Sequence, residues 1–265
     1  MIFDWLDERR RRRILATPFP DAWLQVLARN MVHYRYLDAD ERQRLRDLVQ
    51  VFVAEKEWEG CGGLVLTDEI RVTIAAQASL LILNLHHSLY EKVETILVYP
   101  STFVPRRVEE SIFVQPGLVR PMVPSLGEAH QRGPVILTWD AVRRSARHPD
   151  IGHNVAYHEF AHKLDMLDGA VDGVPPLDSA ERYERWERVC KEELERLREL
   201  SDAGEEGVLD PYAGTDEGEF FAVVTETFFD RPLELLAEHP ALYAVLAEFF
   251  RQDPAARAQR APEPI

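Results

Sequence analysis

Apolar residues recur with the period of an amphipathic α-helix through much of the first third of this chain. The 3.6-residue period appears at 22–32, at 40–56 and at 72–85, which predicts three helices. Asp38 or Asp40 precedes the second helix and is expected to cap it. The third segment is strongly apolar but too short to cross a bilayer, so we expect a buried core helix.

From residue 95 the pattern changes to short apolar runs bounded by proline and glycine. The runs 96–99, 112–114 and 135–139 predict strands of a small mixed sheet. The segment 104–129, around the second run, has little periodicity and is expected to be a mobile loop. Its prolines are Pro105, Pro116, Pro121 and Pro124.

The second half of the chain is predicted to be helical again. An uninterrupted pattern at 154–168 predicts a helix, and a turn-rich loop follows it as far as Pro176. A long charged helix is expected from Ser179, its N-cap, to residue 200. Shorter helices are expected at 217–229 and 241–250.

Together these elements predict an α+β fold that is mostly helical with a small mixed sheet. A chain of 265 residues is long enough to bury a sizeable core. We expect a helical N-terminal region at 1–59, a main domain at 60–252 and a flexible tail at 253–265.

Charge and cysteine content narrow the class of protein. The formal net charge is −15, which repels nucleic-acid phosphates and argues against nonspecific nucleic-acid binding. Cys61 and Cys190 lie far apart in the sequence, and both are expected to be reduced and structural. Apolar residues precede the five arginines at 9–13, the reverse of a secretory signal. We therefore expect a cytoplasmic protein in which these arginines form a solvated helix face.

The segment 157–165, Tyr-His-Glu-Phe-Ala-His-Lys-Leu-Asp, carries the strongest chemical signal. His158 and His162 are four residues apart, so on a helix both imidazoles lie on one face and can bind a single metal ion. Glu159 follows the first histidine, which completes the H-E-x-x-H pattern of zinc hydrolases. A carboxylate there can take a proton from a zinc-activated water.

A catalytic zinc needs a third protein ligand, and the sequence offers several carboxylates for it. The continuation to a third histidine is excluded, because Asp165 and Asp168 stand where a glycine and that histidine would be needed. Glu219 opens an apolar helix, and Glu217 and Glu226 are close competitors. Spacing alone leaves these three open.

Two simpler roles compete with metal binding among these residues. Asp216 followed by Glu219 has the spacing of a capping box, which would need no metal. The histidines outside the motif fall in no second metal pattern and are expected to be paired within the fold or exposed to solvent. They are His33, His86, His87, His130, His148, His153 and His239.

Several segments resemble the Mlc titration factor A family of bacterial zinc peptidases. They are His158 to Asp165 with Asp168-Gly169 and Gly173-Val-Pro175, Asp210-Pro-Tyr212-Ala-Gly-Thr-Asp216 with Glu219-Phe-Phe-Ala-Val, 132–139 and 63–66. The resemblance covers 60–254, whereas 104–129 and the arginine run depart from it. The catalytic motif is also similar to that of the anthrax lethal factor catalytic domain. Both likenesses imply a gluzincin-like fold and a zincin-like metallopeptidase domain at 60–252.

Carried over residue by residue, the resemblance implies a role for each site position. His158, His162 and Glu219 would hold one Zn²⁺ per chain, and Glu159 would be the general base. Tyr212 would donate a hydrogen bond to the oxyanion of the tetrahedral intermediate. The implied activity is an aminopeptidase-like cleavage of peptides. The alternative is an interaction protein that sequesters an Mlc-like glucose repressor, in which zinc is structural or regulatory.

Two further expectations concern the surroundings of the site. The strand 135–139 is expected to lie along the cleft as an edge strand and to pair with the backbone of a peptide substrate. Asp165 lies three residues after His162 and would either orient an imidazole or form a surface salt bridge.

Overall fold

The computed structural model describes residues 2–101, 133–205 and 207–260. The predicted strand 112–114, the connection 104–129 and His130 lie outside this range. The helices of the described residues are α1 (Ile2–Leu15), α2 (Asp21–Asn30), α3 (Ala39–Glu55), α4 (Asp68–Leu81), α5 (Trp139–Arg147), α6 (Val155–Asp165), α7 (Ala180–Ala203), α8 (Glu217–Asp230), α9 (Pro232–Glu238), α10 (Pro240–Phe250) and α11 (Pro254–Ala258). The strands are β1 (Glu57–Gly60), β2 (Thr95–Tyr99) and β3 (Val135–Thr138).

The three strands form one parallel sheet in the order β1-β2-β3. In the central strand, Ile96 is paired with Trp58 on one side and with Val135 on the other. The expected fold class, α+β and mostly helical, is therefore confirmed. The described strands are parallel where a mixed sheet was expected, because α4 carries the chain back between β1 and β2 as a crossover. Strand β1 was not predicted, because its sequence Glu-Trp-Glu-Gly is polar and only partly buried.

Helix α4 lies in the core, as expected of its apolar sequence. Every residue from Val72 to Leu81 is buried. The helix begins at Asp68 because the Thr67 hydroxyl accepts a hydrogen bond from the backbone N–H of Ile70. Its first turn is polar, so the apolar pattern placed the start four residues too late. Among the described residues, none of the helices is both long and apolar enough to cross a membrane.

The predicted starts of α3, α6, α7 and α8 are confirmed by their caps. Asp38 and Glu41 form a reciprocal capping box at the start of α3, and Asn154, Ser179 and Asp216 cap α6, α7 and α8. Helices α5 and α9 were not predicted. Trp139 was expected to end a strand, but it begins α5, a nine-residue helix that directly follows β3.

The two chain ends are more firmly attached than expected. Arg11 is half-buried and pairs with Glu55 of α3 at 2.8 Å, so the arginine run is not only a solvated face. The expected tail after residue 253 begins with α11, where Arg257 is buried and pairs with Glu41. The apolar pattern cannot reveal such pairs, because both partners are charged. The domain division at residue 60 stays a prediction.

Both cysteines are free thiols, as expected. Burial raises the pKa of the Cys190 thiol to about 12, and Glu193 adds to the shift. A thiol with such a pKa is almost entirely protonated near neutral pH, which makes it a poor nucleophile.

Helix α6 is placed by aromatic packing on its apolar side and by α8 on the other. Phe160 is fully buried, with ring centroids 5.6 Å from Phe52 and 5.2 Å from Tyr90. Tyr157 packs on Phe229 of α8 at 5.5 Å. Burying a side chain such as Phe160 contributes about 2 to 3 kcal/mol. This packing leaves the polar face of α6 directed at a cavity.

Candidate metal centre

His158, His162 and Glu219 converge on one point between α6 and the first turn of α8. Their candidate ligand atoms all lie within 4.8 Å of one another. The two Nε2 atoms are 3.2 Å apart, and Glu219 Oε2 lies 3.1 Å from Nε2 of His158 and 3.7 Å from Nε2 of His162. The imidazole planes are inclined by 84° to each other.

These distances fit a tetrahedral divalent ion. Ligand atoms at zinc bond lengths of about 2.0 to 2.1 Å are about 3.3 Å apart at the vertices of a tetrahedron. The buried Oε2 of Glu219 has no hydrogen-bond partner of acceptable geometry, although an imidazole nitrogen is 3.1 Å away. Three close polar atoms, one from each residue, form a donor set that could hold a metal ion.

The charges of this cluster are strongly coupled. Burial disfavours the charged form of His158, but the close carboxylates of Glu219 and Glu226 outweigh it and raise its pKa to about 10. Burial also opposes the ionised form of Glu219, yet His158 and His162 hold the pKa of its carboxyl well below its usual range. Both shifts favour the ionised forms of His158 and Glu219. Because a metal ion binds only the deprotonated imidazole nitrogen, metal affinity at this site depends on pH.

Asp216 and Glu219 do not form a reciprocal capping box. Asp216 Oδ1 accepts a hydrogen bond of 2.8 Å from the backbone N–H of Glu219 and caps α8. The carboxylate of Glu219 faces the two imidazoles instead. The cap and the imidazole contacts are therefore made by different groups of these two residues.

The competing carboxylates lie elsewhere. Glu217 is exposed and lines a different cavity. Glu226 is buried behind His158, where its Oε1 lies 2.7 Å from Nδ1 of the imidazole. Its Oε2 accepts from the backbone N–H of Asn154 at the start of α6. Glu226 therefore fixes Nδ1 as the protonated nitrogen of His158 and leaves Nε2 as the ligand atom.

Glu159 and Tyr212 line the same cavity as the three converging residues. Glu159 is half-buried on α6. Tyr212 is half-exposed on the short 3-10 helix Pro211–Gly214, with its ring centroid 6.3 Å from that of His158. Partial burial and the neighbouring Glu219 carboxylate raise the pKa of its phenol. The hydroxyl is therefore a proton donor throughout the neutral range.

Local hydrogen bonds hold Tyr212 at the rim. The Asp210 carboxylate accepts a hydrogen bond of 2.8 Å from the backbone N–H of Tyr212. The carbonyl of Tyr212 accepts one of 2.7 Å from the Thr215 hydroxyl. The next turn is held by Arg198 of α7, which donates to the carbonyl of Gly214 at 2.9 Å. These contacts place the aromatic ring beside the imidazoles although the ring itself is half-exposed.

The cavity has a volume of about 640 Å³ and both polar and apolar walls. Ile136 of β3 and Pro134, which directly precedes the strand, form one wall, and Met166 and Val171 add further apolar surface. Ile136 is 41% exposed. Lys163 of α6 holds the start of this wall, because its ammonium donates to the carbonyl of Gly133 at 3.1 Å. A site of this size accommodates several residues of a peptide.

Asp165 is fully buried, so the surface salt bridge considered for it is wrong. Both of its carboxylate oxygens and Nδ1 of His162 lack hydrogen-bond partners among the described residues. Burial raises the pKa of Asp165 to about 7, and Asp172 adds to the effect. The helical spacing identified its proximity to His162 but not its burial.

Five of the described histidines outside the motif are paired or exposed, as expected. His33 contacts Asp230, His239 contacts Glu193 and His153 contacts Asp210, while His148 is exposed. His86 contacts the Ser88 hydroxyl at 2.7 Å. Within the described ranges, the cluster around His158 is the sole group of three or more residues suited to a metal ion.

Two histidines one turn apart on α6, a carboxylate on α8 and an open cavity are the arrangement found in metal-dependent hydrolases. The family model of the glucose-regulated metallo-peptidase M90 matches residues 5–251. The chain belongs to this family.

Relatives extend over most of the chain. An uncharacterized protein of Synechocystis sp. is 39% identical over 254 residues, which are 94% of this chain and 90% of that protein. The Mlc titration factor A of Serratia proteamaculans is 37% identical and covers 84% of this chain and 85% of its own length. The protein of the same name from Edwardsiella ictaluri is also 37% identical, covering 83% of this chain and 84% of its own.

Proposed function

We propose that this protein is a cytoplasmic zinc-dependent peptidase with an aminopeptidase-like activity. One observation carries the proposal: His158, His162 and Glu219 converge on a point in the wall of a cavity that Glu159 and Tyr212 also line. Three protein ligands leave a fourth position for water or substrate, as in catalytic rather than structural zinc sites. Zinc bound there would supply the Lewis acidity that polarises a peptide carbonyl and acidifies a water molecule.

Glu159 is the proposed general base. Its position directly after His158 keeps it on the cavity side of α6 without entering the ligand set. Its carboxylate accepts the proton of the attacking water and returns it to the leaving amine. A group that carries the proton between these two atoms contributes about 10² to 10⁴ in rate.

Tyr212 is the proposed donor to the oxyanion. Partial burial and Glu219 raise the pKa of its phenol, which is therefore protonated at neutral pH. The ring lies beside His158 at the rim of the cavity. A hydroxyl there can donate to the carbonyl oxygen as negative charge develops on it. Because the backbone of Tyr212 is held by Asp210 and Thr215, little ordering is required when the substrate binds.

Strand β3 is the proposed docking edge for the substrate backbone. In the described sheet β3 is an outer strand that pairs only with β2. Its residue Ile136 lines the cavity. An extended peptide added at such an edge gains main-chain hydrogen bonds independent of its sequence. The apolar walls formed by Ile136, Met166 and Val171 then favour apolar side chains next to the cleaved bond.

The substitution Glu159→Gln tests the peptidase proposal. It keeps the side-chain volume and the metal ligands but removes the proton acceptor. Metal analysis is expected to find about one zinc per chain in both proteins. Cleavage across a broad library of aminoacyl and peptide substrates is expected to fall by a hundredfold or more. Equal hydrolysis by zinc-loaded wild type and variant would contradict the proposal.

A second candidate function is supported by the name of the relatives, Mlc titration factor A. We propose as the alternative that this chain binds and sequesters an Mlc-like glucose repressor, with zinc serving structure or regulation. The two functions are compatible in one protein. They differ in what they require of residue 159, because peptide cleavage needs a proton acceptor there and repressor binding does not.

Repressor binding is tested by calorimetry of the purified chain with an Mlc-like repressor. The alternative predicts that wild type and Glu159→Gln bind it equally and that neither cleaves the peptide library. Cleavage assays repeated with the repressor present show whether the partner opens the cleft. A peptidase activity that appears only in this mixture, and only in the wild type, would support both functions together.

A further inference from the structure

Three carboxylates form a stripe along α8, and the metal site uses only the first of them. Glu219, Glu226 and Asp230 are separated by seven and four residues, so they lie on one face of the helix. All three side chains are almost completely buried, with 6%, 4% and 1% exposed. Buried carboxylates are costly unless each is paired. Glu226 and Asp230 therefore need hydrogen-bond partners inside the fold.

The partners connect the stripe from end to end. Glu226 contacts Nδ1 of His158 with one oxygen and the backbone N–H of Asn154 with the other. The side-chain amide of Asn154 donates to Asp230 Oδ2 at 3.3 Å. Asp230 Oδ1 lies 2.8 Å from Nε2 of His33, which donates to it. One continuous set of hydrogen bonds therefore runs from the short helix after α2 to the imidazole that faces the metal position.

Asn154 is the junction of this set, and its orientation is fixed by its partners. Its Oδ1 accepts from the backbone N–H of Tyr157 at 3.1 Å and caps α6. Its Nδ2 must then face Asp230, where a carboxylate accepts it. If Asp230 were lost, the amide would no longer be held on that side, and the α6 start that supports Glu226 would loosen.

We propose that His33 and Asp230 are positioning residues of the metal site, acting through Asn154 and Glu226 on the imidazole of His158. Neither touches the metal position. They keep the start of α6 and the Glu226 carboxylate in the one arrangement that directs Nε2 of His158 at the ion. Groups that orient a metal-binding histidine typically change metal affinity by about 10- to 100-fold. The inference rests on the metal site of the proposed function.

The chain contains a matched control for this proposal. His239 and Glu193 form another part-buried histidine–carboxylate pair, at 2.6 Å. No described hydrogen bond links that pair to the cluster around His158. Removing either histidine therefore deletes a comparable contact, but only His33 belongs to the set that reaches the metal position.

The test compares Zn²⁺ dissociation constants, measured by competition with a chromophoric chelator well below the unfolding temperature. His33→Ala and Asp230→Asn are expected to bind Zn²⁺ about tenfold more weakly than wild type, at the lower end of the range for such groups. An asparagine at 230 has a single acceptor oxygen and no charge, so it cannot accept from both His33 and Asn154. His239→Ala and Glu193→Gln are expected to bind like the wild type.

Rescue distinguishes orientation from a general loss of structure. In His33→Gln the amide nitrogen is as many bonds from the backbone as Nε2 of histidine, so it can donate to Asp230 and should restore most of the affinity. The absorption spectrum of bound Co²⁺ should change in His33→Ala and recover in His33→Gln. If His33→Ala does not fold, Asp230→Asn alone decides the question.

The outcomes separate this inference from the proposed function. Zn²⁺ binding that is equal in wild type, His33→Ala and Asp230→Asn would overturn the inference and leave the metal site intact. Equal weakening in His239→Ala would overturn it as well, since the effect would then be general. A wild type that binds no Zn²⁺ would overturn the proposed function and this inference with it.

Discussion

Asp216 caps helix α8 by accepting a hydrogen bond from the backbone N–H of Glu219, at 2.8 Å, while the carboxylate of Glu219 faces the imidazoles of His158 and His162. The capping box considered from the spacing would have used that same carboxylate. Because the backbone and the side chain of Glu219 have separate partners, the two roles are separable by mutation.

Glu219→Ala is therefore expected to abolish stable metal binding while α8 keeps its cap. Two histidines alone bind a catalytic zinc poorly. The matched control is Glu217→Ala, which removes an exposed carboxylate from the same helical turn and should leave metal content unchanged. Metal analysis after dialysis against a weak chelator measures both. Full zinc content in Glu219→Ala would show that the ligand assignment is wrong.

Tyr212→Phe is expected to retain zinc and the fold while kcat falls. Only the hydroxyl that would donate to the oxyanion is removed, and one such donor contributes about a hundredfold to a thousandfold in rate. KM should change far less, because the ground-state contacts of the ring remain. Tyr183→Phe, at an exposed tyrosine of α7, is the control. An unchanged kcat would make Tyr212 a packing residue.

Asp165→Asn is expected to stabilise the metal-free protein more at pH 8 than at pH 5. Burial raises the pKa of Asp165 to about 7, above the value of about 3.9 in the unfolded chain. Between the two pKa values the folded state binds a proton on Asp165 that the unfolded chain has lost. The stability that this proton contributes is lost as the pH rises through the folded pKa. Asparagine has no charge to bury. Between pH 5 and pH 8 the gain should grow by on the order of 2 kcal/mol.

Urea unfolding of the chelator-treated protein at the two pH values measures this difference. Asp168→Asn, at an exposed position of the following turn, should change stability equally at both. A gain for Asp165→Asn that does not depend on pH would mean that the carboxyl is ionised, or neutral, throughout this range.

Gly173→Ala is expected to destabilise the loop that carries Val171 to the cavity. Gly173 has a φ of +72°, and an added Cβ would lie 2.3 Å from the carbonyl oxygen of Glu217. The loop would have to move, and the hydrogen bond from Trp186 to the Gly173 carbonyl would be strained. Gly169→Ala is the control. Its φ of +106° is also unfavourable for alanine, but an added Cβ would have no atom of a non-adjacent residue within 4 Å.

Urea unfolding should show a larger loss for Gly173→Ala than for Gly169→Ala. The backbone conformation alone costs about 1 to 3 kcal/mol in each, so the excess measures the clash. Equal losses in the two variants would show that the loop yields without cost, and that the wall of the cavity is not fixed by Gly173.

Local patterns in the sequence were sufficient for much of the helical framework. The caps Asp38, Asn154 and Ser179 mark helix starts because a side chain next to the first turn satisfies backbone N–H groups that no other part of the helix can reach. The elements that were missed, β1, α5, α9 and α11, have only four to nine residues each, too few for a pattern to identify them securely. Their stability comes from contacts with distant segments, which a local pattern does not contain.

The sequence by itself determined that His158 and His162 face the same side, since four residues bring a helix back to one face. It also determined that Glu219 and Glu226 share a face of α8. Only the tertiary structure decided which of them meets the imidazoles on the cavity side, because that depends on how far α8 is shifted along α6. This shift is set by the packing of buried side chains between the two helices, and it places Glu219 at the ligand point and Glu226 behind His158.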